Sequence, residues 1–174
     1  RERAEAAREA RAAARAMVGE THIATTRAEQ LGLENAERVP GDDGSTYVGQ
    51  LADGKREGLG VLTFKDGDRQ LGQWKDNVLD GKGIEQLSDQ RYEGQWRNGL
   101  PAGLGVRTKP GVERAEGNFV SGRLEGLGVR RVLTEPSLTQ TGEFKADALD
   151  GLGVETLANG ERYEGQFRAG KRHG

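Results

Sequence analysis

Two stretches have the spacing of a phosphate-binding loop. "GQLADGKR" (49–56) and "GQFRAGKR" (165–172) imitate G-x-x-x-x-G-K-[ST], in which backbone N–H groups and a lysine cradle phosphates and a final hydroxyl holds Mg²⁺. Both end in arginine, Arg56 and Arg172, so that hydroxyl is missing. Both also fall where a hairpin turn is expected, not at a strand-to-helix turn. "GLGVLT" (58–63) misses G-x-G-x-x-G by its terminal Thr63. His22 and His173 flank the region between them and make a poor metal or acid–base pair. Ser45, Ser88, Ser121 and Ser137 have no histidine placed beside them in any repeated register. Asp80 and Asp150 each precede a glycine at the same register position. That points to a repeated turn contact more than to a catalytic carboxylate. With no cysteine, disulfides, thiolate metal sites and thiol catalysis are excluded. The residues indicate no enzyme, no cofactor and no metal site.

The chain has 174 residues, 26 basic against 28 acidic, and a net charge of −2. There is no basic excess to attract nucleic acid. Only 33% of residues are hydrophobic while 28 are glycine, which is poor material for a thick core. No apolar run approaches membrane-spanning length, and no signal peptide is visible. The chain begins at Arg1 without a methionine, so an upstream segment is expected that could hold a signal, an anchor or another domain.

Residues 1–18, "RERAEAAREARAAARAMV", are strong helix formers with a thin stripe of Ala4, Ala7, Ala14 and Val18. Such small side chains bury little area, so the expectation is a solvated helix or the end of a coiled coil, not a core helix. Residues 19–45 read as a linker. Thr26 and Glu29 have capping-box spacing, predicting one or two helical turns there. "VPGDDGS" (39–45) reads as a turn-rich boundary before an array that starts at about Thr46.

From there the sequence repeats. Anchor glycines stand at Gly49, Gly72, Gly94, Gly117, Gly142 and Gly165, at intervals of 23, 22, 23, 25 and 23 residues. Nine residues beyond each lie Gly58, Gly81, Gly103, Gly126, Gly151 and Gly174. Eleven beyond the first five lie Gly60, Gly83, Gly105, Gly128 and Gly153. Two after the anchor stand Leu51, Trp74, Trp96, Phe119, Phe144 and Phe167; two before stand Tyr47, Gln70, Tyr92, Ala115, Gln140 and Tyr163. Five after it stand Gly54, Asn77, Gly99, Gly122, Asp147 and Gly170, all types that tolerate positive φ.

"YEGQW" (92–96) alternates Tyr, Gly and Trp with Glu and Gln, which is the period of a strand. A turn and "GLGV" complete a hairpin. The fold class that follows is mainly β: an elongated, single-layer antiparallel meander of hairpins over 46–174, preceded by an N-terminal helix. An isolated hairpin is marginal, so stacked neighbours must supply stability. The glycines nine and eleven past the anchor are expected to let rings lie directly on backbone.

The unit Y-x-G-x-W/F-x-x-G-x-x-x-G-x-G resembles the MORN (membrane occupation and recognition nexus) repeat. Tyr92, Gly94, Trp96, Gly99, Gly103 and Gly105 fill every slot of the third unit. Leu51 departs from the aromatic slot, and "VLTEPSLT" (132–139) lengthens unit four. The last unit stops at Gly174 inside its second strand, so the array is expected to be cut there or to lack a capping strand. The resemblance implies a single-layer sheet that is usually non-catalytic and serves as a scaffold, a dimerisation module or a membrane-associated adaptor. The expected partner is a protein or a second copy, reached through the aromatic row, the terminal edge strand or the N-terminal helix. One alternative is peripheral binding to anionic lipid such as phosphoinositide. Against it, residues 46–174 carry 19 basic and 19 acidic groups, and a polybasic patch gains only about 1 kcal/mol per cation. A second alternative is a carbohydrate- or choline-binding hairpin repeat, whose ligand cages need denser aromatics than these.

Overall fold

The computed structural model describes residues 2–33 and 37–174; Arg1 and 34–36, within the expected helix and linker, lie outside them. Helix α1 (Glu2–Leu33) is followed by strands β1 (Glu37–Pro40), β2 (Thr46–Ala52), β3 (Lys55–Thr63), β4 (Arg69–Lys75) and β5 (Val78–Gln86). Then come β6 (Arg91–Arg97), β7 (Leu100–Lys109), β8 (Glu113–Val120) and β9 (Arg123–Val132). The last are β10 (Leu138–Lys145), β11 (Ala148–Leu157), β12 (Arg162–Arg168) and β13 (Lys171–Arg172). The 13 strands among the described residues form one antiparallel sheet in which each pairs with the next in sequence. The six repeat units are the hairpins β2–β3 through β12–β13, as the spacing predicts. The sheet starts earlier than expected. β1 pairs with β2 through Val39↔Tyr47, so the expected boundary at 39–45 is partly strand and partly a hairpin turn. Pro40 is tolerated there because β1 is an edge.

The glycines form a column. Gly49, Gly60, Gly72, Gly83, Gly94 and Gly105 oppose one another strand after strand, continuing through Gly117, Gly128, Gly142, Gly153 and Gly165. No side chain stands along that line, so large rings from the same face lean over it. A Cβ on Gly60 would overlap the Tyr47 ring, and one on Gly105 would overlap Tyr92. Indole N–H groups donate into the column as well: Trp74 Nε1 to Gly60 O (3.0 Å) and Trp96 Nε1 to Gly83 O (2.9 Å). Tyr47, Trp74, Tyr92, Trp96, Phe119, Phe144 and Phe167 are all buried in one cluster, with Leu79, Leu124 and Leu149 filling the gaps between them. Edge-to-face pairs recur: Tyr47–Trp74 (5.7 Å), Tyr92–Trp96 (5.4 Å) and Tyr163–Phe167 (5.3 Å). Each such pair is worth about 0.5–1.5 kcal/mol beyond its buried area. Where unit four has Ala115 in place of a tyrosine, Tyr92 of the preceding unit packs on Phe119 (5.1 Å). The Arg107 guanidinium covers the same ring at 5.6 Å.

The opposite face is not bare. Helix α1 lies across it and touches every strand from β2 to β11. The expectation of a solvated helix over 1–18 is therefore corrected in extent and in role. Ala7, Ala14, Thr21 and Ala28, seven residues apart, are all fully buried, and Ala4 and Thr25 nearly so. Their smallness brings the helix backbone close to the sheet, where Ala28 packs with Val61, Leu71 and Ile84. Gly19 does not end the helix, and Thr26 and Glu29 lie inside it instead of starting a new one. The docked stripe outweighs the roughly 1 kcal/mol that a mid-helix glycine costs.

Two glycine substitutions separate these roles. Gly105→Ala forces Tyr92 out of its seat and is expected to destabilise by about 1–3 kcal/mol. Gly19→Ala meets nothing within 4 Å on an exposed helix face and is expected to stabilise by up to about 1 kcal/mol. Thermal melting of the two variants beside the parent checks both signs.

Candidate interaction surface

The aromatic residues expected as a partner face are brought together, but in packing against one another. Of Tyr47, Trp74, Tyr92, Trp96, Phe119, Phe144, Tyr163 and Phe167, only Tyr163 is partly exposed. Burial pushes the Tyr47 phenol up to about 12 and raises that of Tyr92 further. Their hydroxyls donate to the Gln50 and Gln95 carbonyls at 2.7 and 3.0 Å.

The turn that joins the two strands of each hairpin is a left-handed pair. Asn98 (φ 50°) and Gly99 (φ 80°) make the third, the geometry that matches strand twist. From the second hairpin on, the second N–H of the turn donates to the preceding hairpin, as Gly99 does to Leu79 O (2.9 Å) and Gly122 to Pro101 O (3.0 Å). In four of the six turns the first N–H donates to a carboxylate eight residues past the preceding hairpin's anchor glycine. Asp76 N thus reaches Glu57, Asn98 N reaches Asp80, Ala146 N reaches Glu125 and Ala169 N reaches Asp150, at 2.9–3.1 Å. Asp80 and Asp150 are turn contacts, as their register indicates. The two phosphate-loop look-alikes place Gly54 and Gly170 in these same hairpin turns, with Lys55 and Lys171 opening the strands that follow.

A second set of side chains was missed. The residue after the anchor accepts the backbone N–H nine residues further on: Gln50 from Leu59, Gln73 from Lys82 and Gln95 from Leu104, each at 2.7 Å, and Glu143 from Leu152 at 3.3 Å. Each bond bridges a register shift beside the glycine column. The recurrence of Gln after the anchor was the available signal. These side chains also correct the role expected of the glycines nine past the anchor. Gly103 (φ +98°) faces Gln95 Oε1, not a ring, and Gly58, Gly81 and Gly151 face the corresponding Gln50, Gln73 and Glu143. Ring clearance belongs to the column alone.

Polar residues of the sheet hold the helix. Glu116, buried, takes Arg15 Nε at 2.5 Å and Arg11 Nε at 3.2 Å, with Arg114 of its own strand at 3.3 Å. Burial pushes the Glu116 carboxyl up. The hydrogen bond from Arg15 and the charges of Arg11, Arg114 and Arg15 outweigh that and hold it below its usual range. His22 Nε2 meets Glu93 Oε1 at 2.7 Å, and Arg91 meets the same oxygen at 2.7 Å. Further along, Lys82 pairs with Glu20, Arg69 with Glu29 and Glu143 with Arg3. His173 is remote from His22, its backbone N–H donating to Gln166 O.

The rim carrying these turns is exposed, as are Ile23 on the helix and Val112 and Leu133 elsewhere in the array. Val78, Leu100 and Val120 are exposed on three successive turns, and Gly99 lies against Val78. Each faces a cation across its hairpin: Lys75↔Val78, Arg97↔Leu100 and Val120↔Arg123.

A self-stitched array of antiparallel hairpins, with no second sheet among the described residues, is a repeat module, stabilised by neighbours more than by a central core. The MORN repeat pattern matches residues 47–69, 71–90, 92–111, 116–131, 141–162 and 163–174. The chain belongs to the MORN repeat family, a family of repeat-based interaction or scaffold modules. No curated protein matches this sequence.

The Glu116 seat makes helix docking acid-sensitive. A carboxyl held low in the folded state contributes stability that is complete above its unfolded pKa, about 4.3. That contribution is lost as pH falls through the lower folded value. Melting temperature followed from pH 7 toward pH 3 is expected to fall less steeply for Glu116→Gln, which starts lower at neutral pH.

Proposed function

We propose that this chain is a non-catalytic scaffold and protein–protein interaction module whose working surface is the exposed turn rim, reaching a protein partner or a second copy. The observation that carries this reading is the contrast in how side chains are used. The repeated Gln, Asp and Glu side chains are engaged by the fold itself, and the aromatic row is packed away. Val78, Leu100 and Val120 meanwhile stand exposed in a line, each beside a cation. Exposed aliphatics clustered on successive repeats mark contact surfaces, whereas scattered ones do not. Alternation with Lys75, Arg97 and Arg123 suits a partner surface that is apolar with acidic borders. Regulation of an adjoining domain is compatible with this role.

The test is a photoactivatable leucine analogue at position 100, introduced into the protein in its own cell. Covalent adducts with a protein, lost when Val78 and Val120 are changed to Ser, are the expected result. Adducts with lipid alone would favour the membrane-surface alternative, and no adduct at all would contradict the rim as the working surface.

A further inference from the structure

A carboxylate side chain ties successive turns together at every joint but one, where only the backbone bond from Gly122 to Pro101 O remains of the two turn bonds. At four of the five joints between hairpins, a carboxylate (Glu57, Asp80, Glu125 or Asp150) accepts the first N–H of the next turn. At the joint between the third and fourth hairpins that position is Ala102, which has no oxygen to offer, and the turn opposite is Ser121–Gly122. The second kind of side-chain bond fails in the adjoining fourth hairpin, between β8 and β9. Where other units have Gln or Glu after the anchor glycine, the fourth has Asn118, one methylene shorter. Among the described residues no side chain accepts the N–H of Leu127, the counterpart of Leu59, Lys82, Leu104 and Leu152.

A groove of about 600 Å³ lies at this joint, and its lining includes Arg97, Leu100, Ala102, Asn118, Val120 and Ser121. Leu100 is 51% and Val120 52% exposed. Arg97 is exposed and forms no ion pair among the described residues. The groove therefore presents a turn N–H lacking the carboxylate that its counterparts have, a cation, a primary amide and two aliphatic side chains.

We propose that this joint is a docking groove for an acidic peptide segment of a partner protein, one carrying Asp or Glu beside aliphatic residues. The peptide carboxylate takes the place at the Ser121 N–H that the chain's own carboxylates take at the other four joints. Arg97 supplies the complementary charge, and the aliphatic neighbours cover Leu100 and Val120. Asn118 is free to bond the peptide backbone. The proposal rests on the interaction-module reading and narrows it to one place and one chemistry. A partner that footprints another part of the rim would leave the module reading standing while this groove falls.

The probes are the capped peptide Leu-Asp-Leu and its Leu-Asn-Leu analogue, titrated into isotope-labelled protein while backbone amides are followed by NMR. The Asp peptide is expected to shift the Ser121 and Gly122 amides and the Asn118 side-chain amide, saturating at a dissociation constant of about 1 mM. The Asn peptide is expected to bind at least tenfold more weakly. Ala102→Asp installs the missing carboxylate in the chain itself; it is expected to raise the melting temperature and weaken peptide binding at least tenfold. Arg97→Glu, at an exposed position, is expected to weaken binding at least tenfold without changing the melting temperature, which keeps the test valid should Ala102→Asp fold poorly. The proposal is overturned if the Asp peptide produces no shifts, if the Asn peptide binds equally well, or if neither variant weakens binding. It is also overturned if vesicles containing phosphatidylserine shift these amides and the Asp peptide does not.

Discussion

A heptad of α-helix rises about 10.5 Å, and two strands of a sheet advance about 9.6 Å. The molecule is built on that near-coincidence. From Ala28, seated among β3, β4 and β5, to Ala4, beside Val154 and Glu164, the helix advances 24 residues, or about 36 Å. The seven strand spacings from β4 to β11 amount to about 34 Å. One helix can therefore give close to one heptad to each hairpin, and a stripe recurring at seven residues meets a sheet recurring at two strands. The stripe must be small for the backbones to approach, which is why alanine and threonine fill it. The long side chains on either side supply the ion pairs that fix its register.

The two faces of the sheet solve one problem by different means. A single layer of hairpins has no opposite sheet to bury against. On one face the glycine column removes side chains along a line, so that tyrosines and tryptophans close over their own backbone and over one another. On the other, Val61, Leu71 and Ile84 receive Ala28, and Glu93 and Glu116 receive His22, Arg11 and Arg15. Both solutions use the periodicity of the chain, so neither needs a thick core. Both broad faces are largely occupied, and the turn rim carries Val78, Leu100 and Val120 exposed on successive hairpins.

Much of this was legible in the sequence. The glycine spacing and the aromatic alternation gave the hairpins and their order, and Gly, Asn and Asp at one slot marked the turns, whose backbones do take positive φ. The helix seat was not legible, because hydropathy is blind to small residues. Ala7, Ala14, Thr21 and Ala28 form a seven-residue repeat with almost no apolar signal, and Gly19 with Thr26 suggests an end and a new start where there is neither. The glycines nine and eleven past the anchor looked alike in sequence, yet Gly103 answers to Gln95 and Gly105 to Tyr92. Asp80 and Asp150 were legible as structural from register alone, whereas Glu57 and Glu125 at the same slot were not singled out. The gap at Ala102 and Asn118 acquires meaning only once the four intact joints define what is missing.

The claim at the centre of this account is that the helix is seated on the sheet through small residues at a seven-residue interval. It is tested most directly by placing the same large residue at two adjacent alanines and measuring thermal melting. Ala14 is fully buried against the sheet and Ala13 is exposed. The account predicts that Ala14→Leu destabilises by about 1–3 kcal/mol. For a chain of this size that lowers the melting temperature by about 2–4 °C per kcal/mol, while Ala13→Leu leaves it nearly unchanged. Equal melting of the two variants would contradict the seat.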